Sequence, residues 1–158
     1  MTLHTIDPVW DENSKVLILG SFPSVKSREE GFFYGHKQNR FWRVLASICD
    51  CSVPQSIDEK KLMLLANGIA VWDVIHSCDI VGSSDSSIKN VVPNDIADIV
   101  QKSHIERIFT NGKKADELYK KYIEQTVGIS AECLPSTSPA NAVWTLEKLC
   151  KEWKIIQK

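Results

Sequence analysis

Residues Gly31 to Leu45, GFFYGHKQNRFWRVL, hold five of the chain's thirteen Phe, Trp and Tyr residues, with His36, Lys37, Arg40, Arg43 and the amide of Asn39 among them. A core element would repeat aliphatic residues at a fixed period, and a solvated loop would not place Phe32, Phe33 and Tyr34 in a row. Flat rings stack on heterocycles, cations meet phosphates, and a carboxamide both donates and accepts. From Lys15 to Arg43 six Lys or Arg residues stand against Glu29 and Glu30 alone. A charge run by itself is usually a solvated face. Interleaved with rings, it suits the handling of a planar base beside an anionic backbone.

Two further patterns could carry chemistry. GSFPSVKS, Gly20 to Ser27, misses the phosphate-binding pattern G-x-x-x-x-G-K-[ST] by one position, with Val25 where the second Gly belongs. Val25 resists positive φ, Pro23 has no N–H, and REEGFFYG does not read as an amphipathic helix aimed at an anion. A nucleotide-hydrolysing enzyme is therefore an alternative. FPS near the start and LPSTSPAN near the end are Pro-stiffened, hydroxyl-bearing turns, which grip the phosphates of a bent strand, although Pro and Ser are also ordinary turn residues. Cys49-x-Cys51 with His76-x-Cys78 has zinc ligand types at spacings that match no established zinc pattern. Five scattered cysteines suit reduced thiols in a cytoplasm.

These residues need elements to position them. KVLILG (Lys15 to Gly20) reads as a buried strand, followed by a long loop and a helix over NRFWRVLASIC. SIDEKKLMLLANG carries a capping box, Ser56 with Glu59, and stops at Gly68. IAVWDVI is a strand, HSCDIVGSSDSSIKNVV a polar loop, and a helix opens near Pro93-Asn94-Asp95. IERIFT is a strand, GKKADELYKKYIEQ a helix, ISAECL a strand and NAVWTLEKLCKEW the last helix. The alternation predicts one three-layer α/β/α domain over residues 1–158, with a central four-stranded, mainly parallel sheet. In open parallel sheets ligands bind beyond the carboxyl ends of the strands. There the Ser-, Asn- and Gly-rich segments after Gly20, Ile75 and Thr110, and at Pro135 to Asn141, should meet on one rim.

Composition narrows the classes. With 158 residues, 43% hydrophobic, 25% charged and a net charge of −1, the chain reads as an ordinary globular protein whose overall charge gives no argument for nucleic acid. No apolar stretch is long enough to span a bilayer, and the N-terminus shows no signal region. A cytoplasmic monomer with no membrane association is the expectation.

Taken together, GSFPSVKS, GFFYGHKQNRFWRVL and LPSTSPAN resemble the uracil-DNA glycosylase superfamily, specifically its hypoxanthine-DNA (deoxyinosine) glycosylase branch. Mismatch-specific members carry a similar G-x-N-P-G, an aromatic run and then N-x-F-W, and uracil-specific members read H-P-S-x-L-S in the last loop. The resemblance spans nearly the whole chain, GIAVWDVI and FTNG included. It implies a monofunctional glycosylase that flips a deaminated base from DNA and hydrolyses its N-glycosidic bond, with hypoxanthine preferred over uracil. It implies no cofactor and no metal, since the cysteine set of the iron–sulfur members is absent. A non-catalytic binder of damaged DNA is the other alternative.

Position by position, Tyr34 matches the aromatic that stacks on the flipped base. Gly20, Ser21, Phe22 and Phe33 join it as base-binding residues, and Asp73 stands where uracil-specific members read the base. Phe22 replaces the catalytic Asn or Asp of other members, and Leu134 replaces their His. Asn39 is the best substitute for the lost polar group, with a helix N-cap as its rival role. Asn111 is a weaker catalytic candidate, and an Asn-Gly turn explains it equally well. Asp73 could instead be a strand-end partner for Lys or Arg. Ser24, Ser27, Ser136 and Ser138, with Lys37 and Arg40, are the expected DNA contacts. Ser138 occupies the position of the Leu wedge, which leaves the residue that fills the duplex gap unassigned.

Overall fold

Every residue of Val16–Gly20 is buried, as expected of an apolar strand with neighbours on both edges and both faces. In the computed structural model, which describes residues 1–157, this strand is β2 and lies inside a four-stranded sheet. Its partners are β3 (Ile69–Asp73) on one edge and β6 (Arg107–Asn111) on the other, and β7 (Ala131–Leu134) continues beyond β6. All three pairings are parallel. Successive β2 side chains point to opposite faces. Val16 and Ile18 join a core with Phe33, Phe41, Leu45, Leu149 and Trp153. Leu17 and Leu19 join another with Ile96, Ile99, Leu118 and Tyr119. The three-layer α/β/α reading with a central parallel sheet holds.

One layer holds α2 (Phe41–Ile48), α3 (Ile57–Ala66) and α7 (Leu146–Trp153). The other holds α4 (Ile96–Gln101) and α5 (Lys113–Tyr122), the latter followed after Ile123 by a short turn of helix, α6 (Glu124–Val127). Caps fall where side-chain oxygens accept amide protons: Ser56 from Glu59, Asp95 from Asp98 and Thr145 from Lys148. The predicted box at Ser56 is shifted, because Glu59 receives the N–H of Gln55 rather than that of the cap. The last helix begins at Leu146, later than NAVWTLEKLCKEW suggested. Thr145 caps it, and residues 141–144 close a turn through Trp144 N–H to the Asn141 carbonyl.

Other departures from the sequence reading bear on the site. The long loop after β2 contains a helix, α1 (Val25–Glu30), capped by the Ser24 hydroxyl and ended by Gly31 in the left-handed region, φ 74°. The polar loop HSCDIVGSSDSSIKNVV is instead two antiparallel strands, β4 (Ile75–Asp79) and β5 (Lys89–Pro93). Together with β1 (Thr2–Leu3) they make a second, three-stranded sheet. Buried Asn94 pins the step between the sheets, its Nδ2 donating to the carbonyls of Asp73 and Ile75. Exposed positions in β5 conceal its strand character, since no alternation of apolar residues marks it. Among the described residues no helix is long and apolar enough to cross a membrane.

Candidate active site

Parallel register sets the site. Gly20 pairs with Asp73, Leu19 with Thr110 and Asn111 with Leu134, so these strands run out at nearly one level. The connections leaving β2 and β6 diverge to opposite sides, which opens a crevice at that end. A cavity of about 140 Å³ lies there, lined by the segment after β2, the aromatic run, Asp73, Asn111, Ser83, Asp85 and residues 136–138.

Gly20 forms its floor because nothing larger fits. A Cβ built there would stand 2.4 Å from Asp73 Oδ1 and 3.0 Å from Tyr34 Oη. Phe22 and Phe33 are buried beside this floor as apolar surface. Tyr34 sits at φ 52°, an unusual conformation for a bulky residue, and stacks on Phe41 with ring centroids 3.9 Å apart. Its buried hydroxyl has no hydrogen-bond partner among the described residues. Burial first, and then the Asp73 charge, push the phenol's pKa up, with Asn111 acting in the other direction. The phenol therefore stays protonated, an unsatisfied donor at the cavity wall.

Three amide and hydroxyl side chains interlock across the opposite wall. Asn111 Nδ2 donates to Thr137 Oγ1 (3.1 Å), and its Oδ1 accepts the Thr137 backbone N–H (3.1 Å). Thr137 Oγ1 in turn donates to Asn39 Oδ1 at 2.8 Å. The same Asn39 oxygen accepts the N–H of Phe41 at 3.0 Å. Arg40 holds the formal cap position of α2, so the cap expected at Asn39 falls one residue later, and Asn39 is an Asx-type bracket just before it. With Oδ1 doubly engaged, Nδ2 is left as a donor on the cavity wall, without a partner among the described residues.

Asp73 is buried, and its partner is neither Lys nor Arg. Oδ2 meets His4 Nε2 at 2.8 Å. Ser21 Oγ donates to Asp85 Oδ1 at 3.2 Å. Asp85 stands exposed at the mouth, where partial loss of hydration raises its carboxyl pKa, while the Ser21 hydroxyl and then Lys114 pull it down.

Several expected DNA contacts turn out differently. Arg40 is a clasp on the last loop: its guanidinium donates to the carbonyls of Ser138 (2.8 Å), Asn141 (3.1 Å), Thr137 (3.4 Å) and Trp144. It is not free to meet a phosphate. Ser27 is buried and accepts protons from Ser24 Oγ and from the Gly35 N–H, which removes it from the surface. Ser24 serves as a helix cap. Lys37 is exposed. Ser136 and Ser138 each accept one backbone N–H and line the cavity. The phosphate-loop alternative loses its anion site, because Val25 N–H already donates to Ser83 Oγ and Ser27 N–H to Ser24 Oγ. Among the described residues no group of three or more His, Cys, Asp or Glu is placed to hold a metal ion.

Three residues of the site, His4, Thr137 and Asp85, carry no mark in the sequence pattern. Thr137 lies between Ser136 and Ser138 and, unlike them, is wholly buried. Asp85 is the one acid in GSSDSS. His4 gave no signal, because β1 is too short to show a period.

Fold and site thus define an α/β protein with a small aromatic-floored cleft, walled by amides and carboxylates, at the carboxyl end of its parallel strands. The family model described as the uracil DNA glycosylase superfamily matches residues 8–158, a segment that begins after His4. A hypoxanthine DNA glycosylase of Methanosarcina acetivorans is 34% identical over 150 residues, covering 94% of this chain and 93% of that protein. One of Methanosarcina barkeri is 35% identical over 137 residues, 85% of each chain. A solution NMR structure from Methanosarcina acetivorans, assigned as a uracil DNA glycosylase, superposes with a TM-score of 0.82 at 31% identity, covering 96% of this chain and 94% of that one. The chain belongs to the uracil DNA glycosylase superfamily.

Proposed function

We propose that this protein is a monofunctional DNA glycosylase of base-excision repair. It receives a deaminated base, hypoxanthine in preference to uracil or xanthine, and hydrolyses the bond between that base and its deoxyribose. The observation that carries the reading is the arrangement of recognition groups around one cleft of base-like polarity. The Tyr34–Phe41 stack supplies a flat wall, Asp73 Oδ1 an acceptor, and Asn39 Nδ2 a donor. Hypoxanthine offers an N1–H to the acceptor, and its ring nitrogens accept from the donor.

Breaking the bond leaves positive charge on the sugar and negative charge on the departing base, so a fixed donor at the base lowers the barrier. Asn39 fills that role. Its oxygen is bound by Thr137 and Phe41, which makes it a donor to the leaving base rather than an acceptor for water. The water oxygen adds to C1′ as the C1′–N9 electron pair leaves with the base. The carboxylate of Asp85, at the mouth, takes the proton from that water, and the base anion is protonated from solvent. Phe22 and Leu134 offer no polar atom, so neither shares in this step. Exposed Lys37 and the free hydroxyl protons of Ser136 and Ser138 meet the backbone of the bent strand.

The test is a panel of duplexes with one hypoxanthine, uracil or xanthine each, incubated with protein and then treated with alkali to cut at abasic sites. Cleavage at hypoxanthine ahead of uracil is expected. Retardation of a lesion duplex with no cleavage would make the protein a binder, and equal release of uracil would overturn the preference.

A further inference from the structure

His4 lies before the segment that the family model matches and directly follows β1, which brings the chain's start against β4; its N–H donates to the His76 carbonyl at 2.7 Å. Its imidazole is almost wholly enclosed, 2% exposed, among Phe22, Phe33 and Trp72. Both ring nitrogens are engaged. Nδ1 accepts the N–H of Ile6 at 3.3 Å, which leaves the proton on Nε2, and Nε2 donates to Asp73 Oδ2 at 2.8 Å. A buried polar ring amid aromatics is costly unless it is bonded at both ends. This one is, and the bond ends on Asp73, a buried carboxylate of the cavity wall.

The consequence lies on the other carboxylate oxygen. With Oδ2 tied to His4 and the Asp73 backbone held by Asn94, Oδ1 is fixed over Gly20, beside the Tyr34 hydroxyl. A carboxylate oxygen only accepts. Hypoxanthine presents N1–H to it, whereas adenine presents a lone pair at N1 and meets repulsion. An Asp73 side chain free to rotate would lose that distinction by turning Oδ1 away or admitting water.

We propose that His4 is a positioning residue for base selection: by holding Asp73 it fixes the acceptor that admits a purine with N1–H and rejects adenine. This deepens, and rests on, the reading of the cavity as a base-binding site.

The experiment compares wild type, His4→Phe, His4→Gln, Asp73→Asn and the His4→Phe/Asp73→Asn double variant. Single-turnover release is measured from duplexes bearing hypoxanthine or adenine at one position, with melting curves for each preparation. Loss of one hydrogen bond to a charged group corresponds to roughly a ten- to hundredfold drop in hypoxanthine release for His4→Phe. Gln, whose amide also donates, should recover most of it. In the Asp73→Asn background His4→Phe should have little further effect, since the two act through one contact. Independent, multiplying effects, or equal loss in Phe and Gln, would overturn the proposal, because both are what a purely structural role gives. If His4→Phe does not fold, the Gln variant and the ¹⁵N tautomer signal of His4 in wild type and Asp73→Asn decide instead. An Nε2–H chemical shift that does not move between wild type and Asp73→Asn would refute the contact. A wild type that releases no base sinks the glycosylase reading alone. The same five proteins then report through the difference in affinity between hypoxanthine and adenine duplexes, where His4→Phe must narrow the gap or the proposal falls.

Discussion

Asn39 presents one half of its amide to the cavity while the other half is held by Thr137 and Phe41. Asn39→Asp therefore separates its two duties. Aspartate keeps both acceptor contacts but removes the donor and adds charge where charge develops on the leaving base. We expect a melting temperature near that of wild type and single-turnover release lowered by on the order of a hundred- to a thousandfold. Near-normal release would return Asn39 to scaffolding. Asp85 gives a prediction of opposite sense. Its folded pKa is raised, so the folded state holds the proton more tightly than the unfolded chain does. Its stabilising contribution is present at low pH and is lost as pH rises from the ordinary carboxylate value through the raised one. Asp85→Asn should accordingly raise the melting temperature at pH 7, leave it nearly unchanged at pH 3, and lower base release. A lower melting temperature at pH 7 would show that the Ser21 contact outweighs the loss of hydration. The ring run drew attention to Tyr34 and Asn39, and the family resemblance to Asp73, because these lie in local motifs; all three line the cavity. Neither could reveal that Asp73 answers to His4, a pairing across 69 positions set only by tertiary packing.

At the level of elements, the last loop hangs on α2. Arg40 N–H and its guanidinium together reach four carbonyls between Thr137 and Trp144. Arg40→Met keeps the aliphatic stem and frees those carbonyls, which should cost on the order of 2–4 kcal/mol and loosen residues 136–144. Release should fall through a poorly formed Asn39–Thr137–Asn111 wall, while the salt dependence of DNA binding stays as in wild type. A changed salt slope would mean the guanidinium meets phosphate after all. The parallel strands and their following helices were legible because apolar runs and caps are local signals. The second sheet was not. β1 is two residues long, and β4 and β5 lie within a Ser-rich stretch whose exposed positions imitate a loop. Yet that sheet supplies His4, and the turn between β4 and β5 supplies Asp85. Contacts from Ser83 to Val25 and from Arg28 to the Gly82 carbonyl then tie the turn to α1.

Over the whole molecule, a net charge of −1 leaves little general attraction for a polyanion. Affinity for lesion-free duplex should be weak and steeply salt-dependent, carried by a few rim cations. Lys37→Ala should reduce the slope of log affinity against log salt by about 1, with hypoxanthine release at saturating DNA unchanged. An unaltered slope would route the duplex away from Lys37. The sheet order has a consequence for the newly made chain. β2 is synthesised before each of its sheet partners, and β6, which covers its second edge, follows only at Arg107–Asn111. Until then Val16–Gly20 is an apolar ribbon with an open edge, and α5, part of the cover for one of its faces, is still to come, the kind of segment that invites wrong partners. Pairings so distant along the chain are also slow to form. The strand that sets the cavity's floor is thus a part of the nascent chain that stays open to wrong partners until Asn111 has been added.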